Sequence, residues 1–236
     1  MRKYSSKTTS AARIAYGTEL SAGLKGFAET APLAAELDPV TALLDEAFRE
    51  RVARGAPVAQ TRADLRVCEF LAEREIRSFA RALEAAEGGR RGPAFFAVLP
   101  DGITSAIAPR RAVQARELRL VIERLGACAL RAARQVAPEW LPRLTEAAAR
   151  LETAVTAHGQ AQTACDEAFR VELRRRDEHA RIVDELVGRV RAAFPQDRAQ
   201  QDAVFPSLNG RSGAGEDEVV EPAVPVQPPS PAAPVS

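Results

Sequence analysis

Two histidines, His158 and His179, are the first residues to question for chemistry, because imidazole moves protons and binds metals near neutral pH. They stand 21 positions apart, which is three heptads. On one helix that spacing puts both on one face but about 30 Å apart. They share a metal only if the helix folds back near Gly159. Carboxylate-bridged di-iron helical proteins need Glu three positions before each His. Val155 and Arg176 stand there instead. His158 therefore reads as a polar seam residue and His179 as a solvated side chain.

Cys68, Cys128 and Cys165 are isolated, odd in number and without Cys-x-x-Cys spacing. That argues against a zinc site or a disulfide framework and fits a reducing, cytoplasmic location. Gly88-Gly89-Arg90-Arg91-Gly92 imitates a phosphate loop. It follows a helix pattern rather than a strand, however, and lacks Gly-Lys-Ser/Thr, so it reads as a helix cap and connector. Arg174-Arg175-Arg176 is the densest basic run, but Glu172, Asp177 and Glu178 flank it. Consecutive helical residues point in different directions, so this reads as a salt-bridged surface. The other carboxylates are scattered, mostly with Arg at helical spacing, and no Gly-x-Ser-x-Gly elbow occurs. No catalytic, cofactor-binding or metal residue is assigned. The chain is expected to be no enzyme and to carry no cofactor.

The composition agrees. A net charge of +1 over 236 residues supplies no field to steer nucleic acid or membrane. No run approaches the roughly 18 apolar residues of a membrane helix. With 5% aromatics, the core must come from Leu, Val, Ile and Ala, which suits close helix packing. Residues 1–18 are basic, Ser-rich and free of acids, and read as a disordered arm rather than a transit peptide.

What must position these residues is a series of amphipathic helices. Asp38-Pro39 reads as a helix start, with Val40, Leu43, Leu44, Phe48 and Val52 on one face and Gly55-Ala56-Pro57 as its stop. A second helix over 58–87 carries Leu65, Cys68, Ala72, Ile76, Phe79 and Leu83 on one stripe. Residues 94–108 break the rhythm. Ala94 to Leu99, the Pro100-Asp101-Gly102 turn and Ile103 to Ile107 read as a β-hairpin-like connector, with Phe95, Phe96, Val98 and Leu99 at least partly buried. Helix resumes over 110–136, and Pro138 and Pro142 mark a break or kink. The longest pattern is a heptad-like seam from Leu144 through His158, Gln162, Cys165, Phe169, Leu173, Arg176 and Ala180 to Phe194. It reads as one continuous helix over 139–194, with two pieces hinged at Gly159 as the alternative.

These patterns imply an all-α fold: an elongated antiparallel helical bundle with a long C-terminal helix, one β-hairpin-like connector and a disordered Pro-rich tail. The expected organisation is a partly helical N-terminal arm at 1–37, the bundle at 38–194, a short docking segment at 195–210 and an acidic, Pro-rich tail at 211–236. The tail's Pro-x-x-Pro steps, Pro222 to Pro225 and Pro231 to Pro234, suit an aromatic groove. The function expected is a scaffold or protein-interaction protein with an unidentified protein partner, monomeric rather than homodimeric and off the membrane. The alternative is a nucleic-acid-associated protein using Arg-rich helix faces and the basic arm, and nucleic acid is disfavoured by the near-zero net charge.

Overall fold

The computed structural model of the chain describes residues 4–206. Regular structure among them is helical throughout: α1 (Ser10–Lys25), α2 (Ala31–Ala86), α3 (Pro93–Val98), α4 (Gly102–Ile107), α5 (Ala112–Ala127), α6 (Arg131–Ala193) and α7 (Arg198–Val204). The all-α expectation is met. The tail over 211–236, with its Pro-x-x-Pro steps, lies outside the described residues.

Two helices dominate. α2 has 56 residues and α6 has 63, about 84 and 95 Å at 1.5 Å per residue. They run antiparallel, because cross-helix partners descend one helix as they ascend the other: Glu36 with Arg189, Thr41 with His179, Arg51 with Glu172, Thr61 with His158 and Glu75 with Arg143.

The breaks expected at Pro39, Pro57, Pro138 and Pro142 do not occur; all four prolines lie inside α2 or α6. An interior proline costs roughly 3 kcal/mol through one lost backbone bond and ring crowding. A stripe of buried Leu, Ile, Val and Phe, each stabilising by about 1.5–3 kcal/mol, outweighs it. Asp38 does not cap a helix but accepts from Lys25 Nζ at 2.8 Å. The start lies upstream, where Pro32 occupies the first turn of α2. α6 passes through Gly159 unbroken and begins at Arg131, earlier than the expected 139.

Shorter helices thicken each end of this hairpin. At one end, here lobe one, the chain turns at Cys128 and Leu130, both extended, so the helix expected over 110–136 is two. α5 then lies back on α6. Leu118, Val121 and Leu125 join Phe79, Leu83, Trp140 and Leu144 in one core. At the other end, lobe two, Tyr16, Leu20 and Leu24 of α1 meet Leu37, Val183, Val190, Phe194, Val204 and Phe205. α7 presses on α1 at Gly23, where a Cβ would stand 2.1 Å from the Val204 carbonyl oxygen, so only glycine fits. Residues 4–18 do not form a free arm: Tyr4, Ser10, Arg13 and Tyr16 are buried.

The β-hairpin-like connector over 94–108 is two short helices, α3 and α4. Glu87 explains the difference. Its carboxylate accepts from the backbone N–H groups of Gly92, Ala94 and Phe95 at 2.7–3.0 Å, while Pro93 occupies the first turn. The donors that open a helix are thus met by a side chain five to eight residues upstream. Burial pushes the Glu87 pKa up, but the three N–H groups prevail and hold it below its ordinary value. Glu87→Ala is expected to cost about 1–2 kcal/mol, as loss of a helix cap does, measured by urea denaturation. An unchanged midpoint would show that water replaces the carboxylate without loss.

Candidate functional site

The polar groups of this protein converge where α1 meets the hairpin. Glu172 is 3% exposed and sits on the face of α6 that meets α2. Its two oxygens divide the work: the Ser10 hydroxyl donates to Oε1, and Arg51 Nε donates to Oε2. One carboxylate therefore joins α1, α2 and α6. Arg13, also buried, donates through Nε to the Thr8 carbonyl at 3.0 Å, through Nη1 to the Arg176 carbonyl at 3.0 Å and through Nη2 to the Ser6 carbonyl at 2.8 Å. Its guanidinium lies 4.9 Å from the centre of the Tyr4 ring. Arg176 returns the contact, donating to the Thr8 carbonyl at 3.0 Å.

One turn further along α6 is His179, fully buried. The expectation of a solvated side chain is wrong. Tyr4 Oη lies 2.7 Å from Nδ1, and Thr41 Oγ1 lies 3.3 Å from Nε2. Burial raises the Tyr4 pKa to about 12, so the phenol keeps its proton and donates to Nδ1. Nε2–H then donates to Thr41. Burial, reinforced by the Arg13 charge, pushes the His179 pKa down to about 4, so the imidazole is neutral at pH 7. Gly17 makes room: a Cβ there would stand 2.5 Å from Thr41 Oγ1 and 2.7 Å from His179 Nε2. These groups satisfy one another and leave no reactive atom open to a substrate. Their work is to tie residues 4–17 to both long helices.

His158 is buried at mid-hairpin, its Nδ1 3.2 Å from Thr61 Oγ1. Cys68, Cys128 and Cys165 are free and half-buried. Among the described residues, no group of three His, Cys, Asp or Glu is placed to hold a metal. Gly88 and Gly89, at φ 83° and 84°, end α2, and Arg91 pairs with Glu84. Arg175 pairs with Glu178 and Arg176 with the Thr8 carbonyl. A groove of 560 Å³, lined by Cys68, Ala149, Ala154 and Ala157 with a rim of charge, runs along the hairpin. One rim charge, Arg150, pairs with Glu146.

The seam reading of α6 placed Phe169, Leu173 and Ala180 inward. The buried residues are Ala168, Glu172 and His179, each one position earlier. A straight helix drifts from a strict heptad, and the partners that α1 brings let a carboxylate and an imidazole face inward. The apolar residues are turned out: Phe169 is 45% exposed, Leu173 38% and Val52 54%. They share a side of the hairpin. Val52 follows Arg51, and Leu173 follows Glu172, by about 100° of helical rotation. Because the helices are antiparallel and Arg51 faces Glu172, those rotations lead to the same side. Phe48 and Phe169, three residues before the pair, swing to that side as well. Half-buried Phe48 packs under the Arg51 guanidinium.

Below this quartet lies a stretch without charge. Residues 55–61 of α2 and 153–165 of α6 contain no Asp, Glu, Lys or Arg, and the Thr61–His158 contact brings the two segments level. Among the described residues, no helix is long and apolar enough to cross a membrane. No family model matches the chain, and neither a curated protein nor a solved structure matches it.

Proposed function

We propose that the chain is a non-enzymatic scaffold, an elongated antiparallel helical bundle whose two-helix middle behaves as a coiled coil and binds a protein partner. The observation that carries this reading is the apolar quartet of exposed Val52, Phe169 and Leu173 with half-buried Phe48 beside them, bordered by the uncharged stretch. Solvated helix faces elsewhere on this hairpin carry ion pairs such as Arg49–Asp45, Arg54–Glu50, Arg150–Glu146 and Arg181–Glu185. Those pairs also engage four of the arginines on which a nucleic-acid reading relies. Contiguous apolar exposure on a soluble helix marks an interaction surface.

The test is crosslinked affinity capture from the native host with the wild-type chain and with the double variant Val52→Asp, Phe169→Asp. A defined protein should be recovered with the wild type and reduced at least about tenfold with the variant, since interface anchors typically cost over 1.4 kcal/mol when replaced. The melting temperature should stay unchanged. It should also be independent of protein concentration, as a monomer requires. Equal recovery with the variant would move the interaction surface elsewhere.

A further inference from the structure

We propose that the hairpin bends at its middle, at residues 55–57 of α2 and Gly159 of α6, so that the two lobes change angle as separate bodies. The inference begins with the cores. All core residues of lobe one lie between Leu65 and Ala154. Those of lobe two lie in residues 4–37 and 183–205. Between them, at the level of the Thr61–His158 contact, neither α1 nor α5 reaches the long helices. Of residues 55–61 and 158–164, only Val58 and His158 are buried, each 8% exposed. A packed core resists bending, and here there is almost none.

The backbone is weakest at the same place, and on both helices. Pro57 has no N–H, so the Ala53 carbonyl loses its intrahelical donor. The Thr61 hydroxyl donates back to the Pro57 carbonyl at 2.8 Å, a contact that competes with the ladder and bends helices. Gly55 lies two residues before Pro57. Gly159, beside His158, stands within one turn of Pro57 along the hairpin. Each glycine lowers helix stability by about 1 kcal/mol relative to alanine. Neither has a steric reason to be glycine: a Cβ at Gly55 or Gly159 would meet nothing within 4 Å. Gly17 and Gly23, by contrast, are required by close approach.

The other interior breakers are braced. Pro39 lies beside Leu37 and Val40, where Lys25 of α1 holds Asp38. Pro138 and Pro142 are themselves exposed but alternate with Val136, Trp140 and Leu144, which the core of lobe one holds. Gly188 has open space too but sits between Leu186 and Val190 of the lobe-two core. At the middle, helix breakers on both strands of the hairpin coincide with the loss of any third helix.

The test has two readouts on the full chain. Hydrogen exchange on the wild type should show amides of 53–61 and 157–163 exchanging faster than those of α2 and α6 within the lobes. The triple variant Gly55→Ala, Pro57→Ala, Gly159→Ala should slow those amides at least about tenfold without slowing the lobes. Spin labels at Glu46→Cys and Arg74→Cys, on α2 either side of the bend, should give a broad distance distribution that narrows in the triple variant. A pair inside lobe one, Arg74→Cys and Glu123→Cys, is the rigid control; Cys68, Cys128 and Cys165 are first replaced by Ala. Exchange uniform along both long helices would overturn the proposal. A cross-bend distribution as narrow as the control would do so too. If the cysteine replacements unfold the chain, the exchange measurement on the wild type still decides.

Discussion

Phe95→Ala is expected to destabilise the chain by about 3–5 kcal/mol, whereas the same change at its neighbour Phe96 costs under about 1 kcal/mol. The two rings touch, with centroids 5.4 Å apart, yet their surroundings differ. Phe95 is fully buried within the lobe-one core beside Val98 and Leu99, and Phe96 is 51% exposed. Truncating Phe95 removes the transfer energy of a whole ring. It also opens a cavity that α3 cannot close, because Glu87 and Pro93 hold its first turn in place. Truncating Phe96 removes only the half of a ring that packs. Urea melts of the two variants should separate them clearly. Equal losses would mean that Phe96 is covered in solution, which would make that surface a second partner site.

That contrast shows what the residues alone could and could not reveal. The helical periodicity was legible along the lobe-one half of α2: Leu65, Ala72, Ile76, Phe79 and Leu83 face inward as their spacing predicts. The connector was misread because Phe, Val and Ile counted as strand formers. The decisive group, Glu87, lies beyond the window in which a local cap would be sought. The breaks at Pro39 and Pro57 failed for a related reason. Proline acts on the local backbone, whereas the length of α2 is set by 56 residues of packing against α6. The buried cluster was the least legible. Glu172, Arg13, Ser10 and Tyr4 are ordinary surface residue types, and only the chain reversal that returns α1 to the hairpin makes them partners. Glu172 in a slot between Val171 and Leu173 looked like a helix surface, because the seam was counted in heptads and the helix is not.

The second large effect is a loss of stability in mild acid that belongs to His179. Between pH 7 and pH 4 the chain is expected to lose about 3 kcal/mol from this residue alone. In the fold the imidazole is neutral, with its pKa pushed down to about 4 by burial and by Arg13. In the unfolded chain it titrates near the ordinary 6.5. Between those values the unfolded state binds the extra proton and the fold does not, so stability falls as pH falls from about 6.5 and levels off below 4. A proton on Nδ1 would also displace the hydrogen bond that Tyr4 donates, because two donors would then face each other across 2.7 Å. Carboxylates such as Asp38, held below its ordinary value by the hydrogen bond from Lys25, stay charged in the fold over this range and add their own loss of stability at its acid end and below. The measurement is therefore differential: urea stability against pH for the wild type and for His179→Gln, which keeps an acceptor for Tyr4 and a donor for Thr41. The wild-type curve should fall away from the variant between pH 6.5 and pH 4, with the first protection lost in the amides of α1. Parallel curves would show that the imidazole is reached by water or finds an acceptor when charged, and the tie between residues 4–17 and the long helices would then rest on Glu172 and Arg13 alone.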